Sequence, residues 1–149
     1  MDPLWNVVYA NDRFRAELPG VEQYDDNFAL WFFHPGTETR TAEAVVVEWD
    51  TAAAYLVASL RAAFGIYRRA PQTRALFEKL NRAVTFRQLW TGSLDVAYGF
   101  KPDQPVQMRS PDTGEPCTVR IHLGVGAQGN PDIRFCFAYR DPCNRPTTT

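Results

Sequence analysis

The sequence contains few of the side chains from which metal and redox sites are usually built. Its 149 residues include three cysteines and two histidines. The number of cysteines is odd and no Cys-x-x-Cys spacing occurs, so the sequence predicts neither a disulfide framework nor a zinc site. His34 and His122 are far apart and have no cysteine or histidine at ligand spacing. We therefore predict no metal and no cofactor.

An excess of charge of one sign is also lacking. The net charge is −1, so no global field attracts nucleic acid or an anionic membrane. No apolar run approaches the roughly 20 residues that span a bilayer. Met1-Asp2-Pro3 offers neither the basic region nor the apolar region of a signal peptide. We expect a cytoplasmic chain that binds neither a membrane nor nucleic acid directly.

Aromatic residues, by contrast, are frequent, at 13% of the chain. A chain of this length buries enough surface to fold as one domain. We predict a single domain over residues 1–149, with an ordered core from about 4 to 140. Because the aromatic residues exceed what a core of this size requires, they also suggest a pocket.

The first two thirds of the chain predict an opening strand followed by helices. The strand is predicted at residues 4–10. Asn11 or Asp12 and then Asp26 or Asn27 have the side chains of helix N-caps, each ahead of a short helix. Apolar residues recur at steps of three and four over residues 42–69, which predicts one long helix. Two further helices are predicted, the first with Pro71 in its first turn and the second over the segment FRQLW.

After Gly92 the hydrophobic period changes from 3.6 to 2, which is typical of strands. Alternation predicts strands over residues 94–100, 117–125 and 133–139, with a weaker one at 105–110. The fold class predicted is therefore α+β, with an antiparallel sheet of about five strands and helices packed over one face. In this prediction one apolar sheet face carries Val119, Ile121, Phe135 and Phe137.

Some patterns resemble catalytic or nucleotide-binding sites, but the sequence around them argues against those functions. Residues 124–129 match G-x-G-x-x-G, but Asn130-Pro131 and a strand follow where a phosphate-binding loop requires a helix. A hairpin turn is the better interpretation. Cys117 and Cys136 lie within predicted strands, away from any helix N-terminus that would stabilise a thiolate. No catalytic constellation is evident, so we predict that the chain is not an enzyme.

One basic residue differs from the others in its surroundings. Arg87 is flanked by large apolar residues in FRQLW, just before the sheet begins. An arginine in such a setting binds a carboxylate or closes a salt bridge. Glu78, Asp95 or another acidic residue is the candidate partner, and the sequence leaves both interpretations open.

Four segments in order resemble a known family. They are WNVVYAND, DNFALWFFHP, VEWDTAAAYLVASLRAAFGIY and LNRAVTFRQLWTG. The most specific pieces are Trp5 with Tyr-Ala-Asn at 9–11, Asp-Asn at 26–27 with Trp-Phe at 31–32, Leu-Arg at 60–61, and Phe-Arg-x-Leu-Trp at 86–90. Over roughly residues 4–140 the chain resembles the MmyB-like ligand-binding domain, a PAS-like sensor domain of XRE-type helix-turn-helix bacterial transcription regulators.

The resemblance implies a sensor that binds a small amphipathic, fatty-acid-like molecule between helices and sheet. The family's helix-turn-helix domain has no counterpart ahead of Leu4, so this chain is not expected to bind an operator by itself. A homodimer is a further expectation. The polar end of the ligand is assigned to Arg87 or Tyr67. The apolar contacts predicted are Trp31, Phe32, Leu56, Leu60, Phe64, Trp90, Val119, Ile121, Phe135 and Phe137.

Two other functions remain open on the sequence. The first is a ligand-free dimerisation or interaction module, which an exposed apolar patch would favour. The second is a small cone-shaped α+β isomerase or hydratase, which requires an acid–base pair in an aromatic cavity. Asp95, His122 and Tyr98 are its candidates, although His122 has the opposite parity to Ile121 on their strand.

Overall fold

In the computed structural model, residues 1–34, 42–98, 105–110, 113–125 and 133–140 are described. These residues form six α-helices followed by three strands, so the α+β class is confirmed. The helices are α1 (Asp12–Glu17), α2 (Phe28–Phe33), α3 (Ala42–Val45), α4 (Trp49–Ile66), α5 (Pro71–Leu80) and α6 (Val84–Gly92), with a 3-10 turn at Val21–Tyr24. The strands are β1 (Pro105–Arg109), β2 (Pro116–Val125) and β3 (Arg134–Arg140).

Asparagine side chains cap the first two helices, and each is one of the two candidate caps that the sequence offered for its helix. The Asn11 carboxamide oxygen accepts a hydrogen bond from the backbone N–H of Phe14 at 2.9 Å. The Asn27 carboxamide oxygen accepts one from the N–H of Leu30 at 3.0 Å. Each bond satisfies a helix N–H that has no partner within its own helix.

The opening segment is not a strand, contrary to the prediction. Among the described residues, its β-type pairing is an isolated antiparallel bridge between Asn6 and Asn27. The Asp2 carboxylate accepts hydrogen bonds from the backbone N–H groups of Leu4 and Asn6, both at 2.9 Å. Trp5 has a φ of 66°, which is the left-handed region and interrupts an extended chain. Local side-chain bonds therefore compete successfully with strand pairing here.

The predicted long helix is two helices with a break between them. α3 ends at Val45 and α4 begins at Trp49. Between them Val46 forms a bridge with Met108, and the N–H of Val47 donates to the carbonyl of Gln107 at 2.9 Å. The break therefore places the chain alongside β1. Periodicity did not show it, because Val45 and Trp49 keep the spacing of one helix.

The sheet has the order β1-β2-β3, and both neighbouring pairs are antiparallel. Among the described residues it has three strands rather than about five. Residues 94–98, the described part of the strand predicted at 94–100, belong to no strand, and Leu94 and Tyr98 are 89% and 79% exposed. The predicted hairpin turn at 126–131 lies outside the described residues. The strands on either side of it pair antiparallel, from Val119 with Arg140 to Val125 with Arg134.

Most of the buried apolar residues lie within the helical layer. The aromatic rings there pack in series: Phe33 meets Phe86 edge-on with centroids 5.3 Å apart, and Phe86 stacks on Trp90 at 5.6 Å. The largest side chains that are almost completely buried include Trp31, Leu60, Leu80 and Phe86. A second, smaller cluster of Val45, Met108 and Val119 joins α3 to the sheet.

We predict that Asn27→Ala destabilises the protein more than Asn11→Ala. Both changes remove an N-cap, which costs about 1 kcal/mol. Asn27 is 2% exposed and also donates to the carbonyl of Leu4 at 3.0 Å and the Oδ1 of Asn6 at 2.7 Å. Losing these bonds in a buried site brings the total to at least about 2 kcal/mol. Urea denaturation of both variants measures the difference, and equal losses would show that the buried bonds contribute little.

Candidate functional site

A cavity of about 1090 Å³ lies between the sheet and the helices. Its helical wall combines the opening segment, α1, α2 and the first half of α4. The apolar residues of this wall include Trp5, Val7, Phe14, Leu18, Phe28, Trp31, Phe32, Ala52, Leu56 and Ala58. A volume of this size is at the upper end of those that accommodate drug-sized ligands.

The register decides which side chains form the sheet wall. Residues directly opposite each other in an antiparallel pair share a face. Val119 is opposite Arg140 and Ile121 is opposite Ala138, so the inner face of β3 carries its even-numbered residues. By this register the inner face of the three strands includes Val106, Met108, Cys117, Val119, Ile121, Arg134, Cys136, Ala138 and Arg140.

The prediction that Phe135 and Phe137 share the face of Val119 and Ile121 is therefore wrong. Phe137 is opposite His122, which places both phenylalanines on the outer face. They are 47% and 65% exposed, although like the rest of β3 they border the cavity. Alternation shows which residues of one strand share a face, but the pairing with the next strand decides which face it is.

Five of the twelve predicted ligand contacts do not line the cavity. Leu60 and Phe64 are buried in the helical layer, where Phe64 meets Trp90 with centroids 5.8 Å apart. Tyr67 is the C-cap residue that follows α4, and its carbonyl accepts a hydrogen bond from Thr73 Oγ1 at 2.9 Å. Arg87 is exposed on α6. The other seven border the cavity: Trp31, Phe32, Leu56, Val119, Ile121, Phe135 and Phe137.

Arg87 was expected either to bind a carboxylate of the ligand or to form a salt bridge, and the structure gives it an exposed position on α6. It does not line the cavity, and neither expected carboxylate pairs with it. Glu78 bonds Arg74 Nε at 2.9 Å, and Asp95 accepts from Ser93 Oγ at 2.7 Å. The apolar neighbours of Arg87 face the core while Arg87 faces solvent, because adjacent helix residues point in different directions.

Arg61, not Arg87, is the arginine that joins the helical layer to the segment leading to the sheet. Its guanidinium donates to the carbonyls of Trp90 at 2.7 Å, Ser93 at 2.5 Å and Asp95 at 2.6 Å. It also lies over the Trp90 ring, 4.8 Å from the centroid. These bonds satisfy carbonyls at the C-terminal end of α6, where a cation also matches the helix dipole. The chain beyond then lies against α4, since Ala97 N–H donates to the carbonyl of Ala58 at 3.1 Å.

Six charged residues line the cavity, and none of them was predicted as a ligand contact, although Asp95 was a candidate for the enzyme alternative. Arg140 Nη2 bonds Glu17 Oε1 at 2.6 Å, which connects the end of β3 to the end of α1. The other four are Arg13, Glu48, Asp95 and Arg134. Arg134 and Arg140 alternate with the aromatic residues of β3, so the same parity that exposes Phe137 brings these arginines inward. Strand parity was the sequence signal that could have found them.

The thiol of Cys136 lines the described part of the cavity, and its raised pKa is unfavourable for nucleophilic chemistry. Burial raises the pKa of the Cys136 thiol to about 11, an effect that the positive N-terminus partly offsets. At neutral pH the group is therefore a neutral thiol and not the reactive thiolate.

Of the three candidates for the enzyme alternative, Asp95 lines the cavity, and His122 and Tyr98 do not. His122 lies on the outer sheet face, stacked on Tyr139 with centroids 5.6 Å apart. Tyr98 is 79% exposed and does not line the cavity. Asp95 borders it from an exposed position. Within the described ranges, no three of the residues His, Cys, Asp and Glu cluster as metal ligands.

Fold and site together define an α+β domain with a large, mainly apolar cavity between its two layers. The family model of the MmyB-like transcription regulator ligand binding domain matches residues 1–144. The chain therefore belongs to this family, which is a class of regulator ligand-binding domains and not of enzymes. No curated protein and no solved structure gives a significant match. In the described part of the chain, no helix combines the length and apolarity needed to cross a membrane.

We predict that Arg61→Ala lowers the free energy of unfolding by at least about 2 kcal/mol, because several carbonyls lose a charged donor together. Arg87→Ala is the matched control on the neighbouring helix and should change it by no more than about 0.5 kcal/mol. Chemical denaturation followed by tryptophan fluorescence gives both values. Comparable losses in the two variants would contradict the role assigned to Arg61.

Proposed function

We propose that this chain is the sensory domain of a bacterial transcription regulator and binds a fatty-acid-like amphiphile in the cavity. The observation that carries the proposal is the cavity itself, about 1090 Å³ with mainly apolar walls, in a member of a regulator ligand-binding family. Burying a hydrocarbon chain against such walls gains roughly 0.8 kcal/mol per methylene group. The arrangement of helices over one sheet face supports a PAS-like assignment of the fold.

The apolar part of the proposed ligand contacts the residues that close the cavity from both sides. Trp31, Phe32 and Leu56 contribute from the helices, and Val119 and Ile121 from the sheet. The first four of these are at most 5% exposed, so little side-chain movement is needed to form the binding surface. A preformed surface of this kind reduces the entropic cost of binding.

Native mass spectrometry of the purified protein, followed by organic extraction, tests this function directly. We expect a stoichiometric bound amphiphile, or uptake of one when the protein is incubated with palmitate. Released material should behave as an acyl compound in the extract. A protein that is free of ligand as purified and does not take up palmitate or related amphiphiles would refute the proposal.

A cavity-filling variant provides a second test. Ala52 lines the cavity on α4, so Ala52→Phe places a ring where the ligand would lie. We expect at least about tenfold weaker palmitate binding, equivalent to 1.4 kcal/mol. Ala75→Phe on the exposed side of α5 makes the same change away from the cavity and should leave binding unaltered. Circular dichroism establishes that both variants are folded, and equal affinities would place the ligand elsewhere.

A homodimerisation function is the second candidate, and the outer sheet face favours it. Phe135, Phe137 and Tyr139 are 47%, 65% and 50% exposed along one strand. Neighbouring aromatic side chains of this kind are enriched at protein interfaces. A second copy of the chain is the partner proposed for this face.

Sedimentation equilibrium distinguishes this second candidate. We expect a dimer whose dissociation constant increases at least about tenfold in Phe137→Ser, because exposed aromatic residues at an interface contribute 1.4 kcal/mol or more. Tyr9→Ser is the control, since Tyr9 is 85% exposed but does not belong to the sheet. A monomeric wild-type protein, or an unchanged dimer in Phe137→Ser, would exclude this interface.

A further inference from the structure

Some charged side chains of the cavity already have an ion-pair or hydrogen-bond partner within the protein, and others do not. Arg140 is paired with Glu17 at 2.6 Å, and Asp95 accepts a hydrogen bond from Ser93. Arg13 and Glu48 are exposed to solvent. Arg134 is half-buried, and its guanidinium makes no hydrogen bond or ion pair with any of the residues that the structure describes. A partly desolvated cation without a partner favours binding of an anion.

Hydrogen bonds hold the backbone of Arg134 in place, whereas its side chain makes none with the described residues. Its N–H donates to the carbonyl of Met1 at 2.7 Å, and its carbonyl accepts from the Met1 nitrogen at 2.9 Å. On its other side it is paired with Val125. Arg134 therefore has a fixed Cα at the beginning of β3, and the strand's structure does not depend on its side chain.

The inner face of β3 connects this cation to the other end of the cavity. Cys136 and Ala138 follow Arg134 on that face, and Arg140 ends it beside Glu17. Six steps along a strand place the two arginines about 20 Å apart. The small side chains between them leave room for an extended hydrocarbon chain. The thiol of Cys136 is neutral and adds no charge to this path.

We propose that Arg134 binds the carboxylate of the ligand, with the hydrocarbon chain extending along Cys136 and Ala138 towards the Glu17–Arg140 pair. This inference rests on the proposed function and specifies its polar anchor. The planar guanidinium matches a carboxylate with two parallel N–H···O bonds. The opposite end is less suitable for an anion because Glu17 already neutralises Arg140 and would repel a second carboxylate.

Binding of palmitate and of hexadecanol to ligand-stripped protein separates the anchor from the cavity. Both probes have the same hydrocarbon chain, but only palmitate carries a carboxylate. We expect wild-type protein to prefer palmitate at least about tenfold, because charge-assisted bonds exceed those of a hydroxyl group. Arg134→Ala should lose this preference while hexadecanol still binds, and Arg134→Lys should keep part of it. Arg87→Ala is the arginine control and should retain the full preference.

The possible failures of this experiment are distinguishable. If neither probe binds the wild-type protein, the proposed function itself fails. If both bind but palmitate is not preferred, or if Arg134→Ala keeps the preference, the assignment of Arg134 is wrong and the cavity remains a binding site. Loss of the preference in Arg140→Ala alone would move the anchor to the other end of β3. Circular dichroism of each variant shows whether a loss reflects unfolding, and Arg134→Lys serves as the informative variant if Arg134→Ala does not fold.

Discussion

The helical wall of the cavity depends on the buried side chain of Asn27. One carboxamide accepts from Leu30 and donates to Leu4 and to Asn6, so it fixes the start of α2 and the opening segment at the same time. A buried amide is costly unless it is satisfied, and here both ends of the amide have partners. Trp5 and Val7 contribute to the cavity because this bond network holds their segment against α2. Asn27 thus links local helix capping to the shape of the binding site.

Arg61 connects the helices to the segment that leads to the sheet, as Asn27 connects α2 to the opening segment. Its single guanidinium binds the carbonyls of Trp90, Ser93 and Asp95 at and just beyond the end of α6, where carbonyls lack partners within the helix. An arginine suits this position because its donors are arranged in a fixed plane, whereas a lysine offers one compact charge. The segment that follows is brought against α4 and contributes Val96 and Ala97 to the cavity. Arg61 is therefore structural. The sequence had instead indicated Arg87 as a ligand anchor, because large apolar residues flank it in FRQLW.

The two faces of the sheet support two different kinds of interaction. The inner face carries small and apolar residues with an arginine at each end of β3, which suits an elongated amphiphile. The outer face carries aromatic side chains that are roughly half exposed, which suits a protein partner. Because residues alternate along one strand, β3 belongs to both surfaces. β3 therefore connects the ligand site that we propose on the inner face with the dimer interface that we propose on the outer face.

The sequence by itself determined the α+β class, the family, the positions of the first two helix N-termini to within one residue and the apolar character of the interior. These follow from local periodicity, capping chemistry and short motifs, each of which involves residues close together in the chain. Only the tertiary structure decided that residues 4–10 are not a strand and that α3 and α4 are separate helices. It also decided that Arg61 is half-buried and bound to backbone carbonyls, whereas Arg87 is exposed. It also decided that Cys136 and Ala138, and not Phe135 and Phe137, share the inner sheet face with Val119 and Ile121. Each of these outcomes depends on pairing between distant segments, because strand register and competing backbone partners are set by contacts that periodicity does not contain.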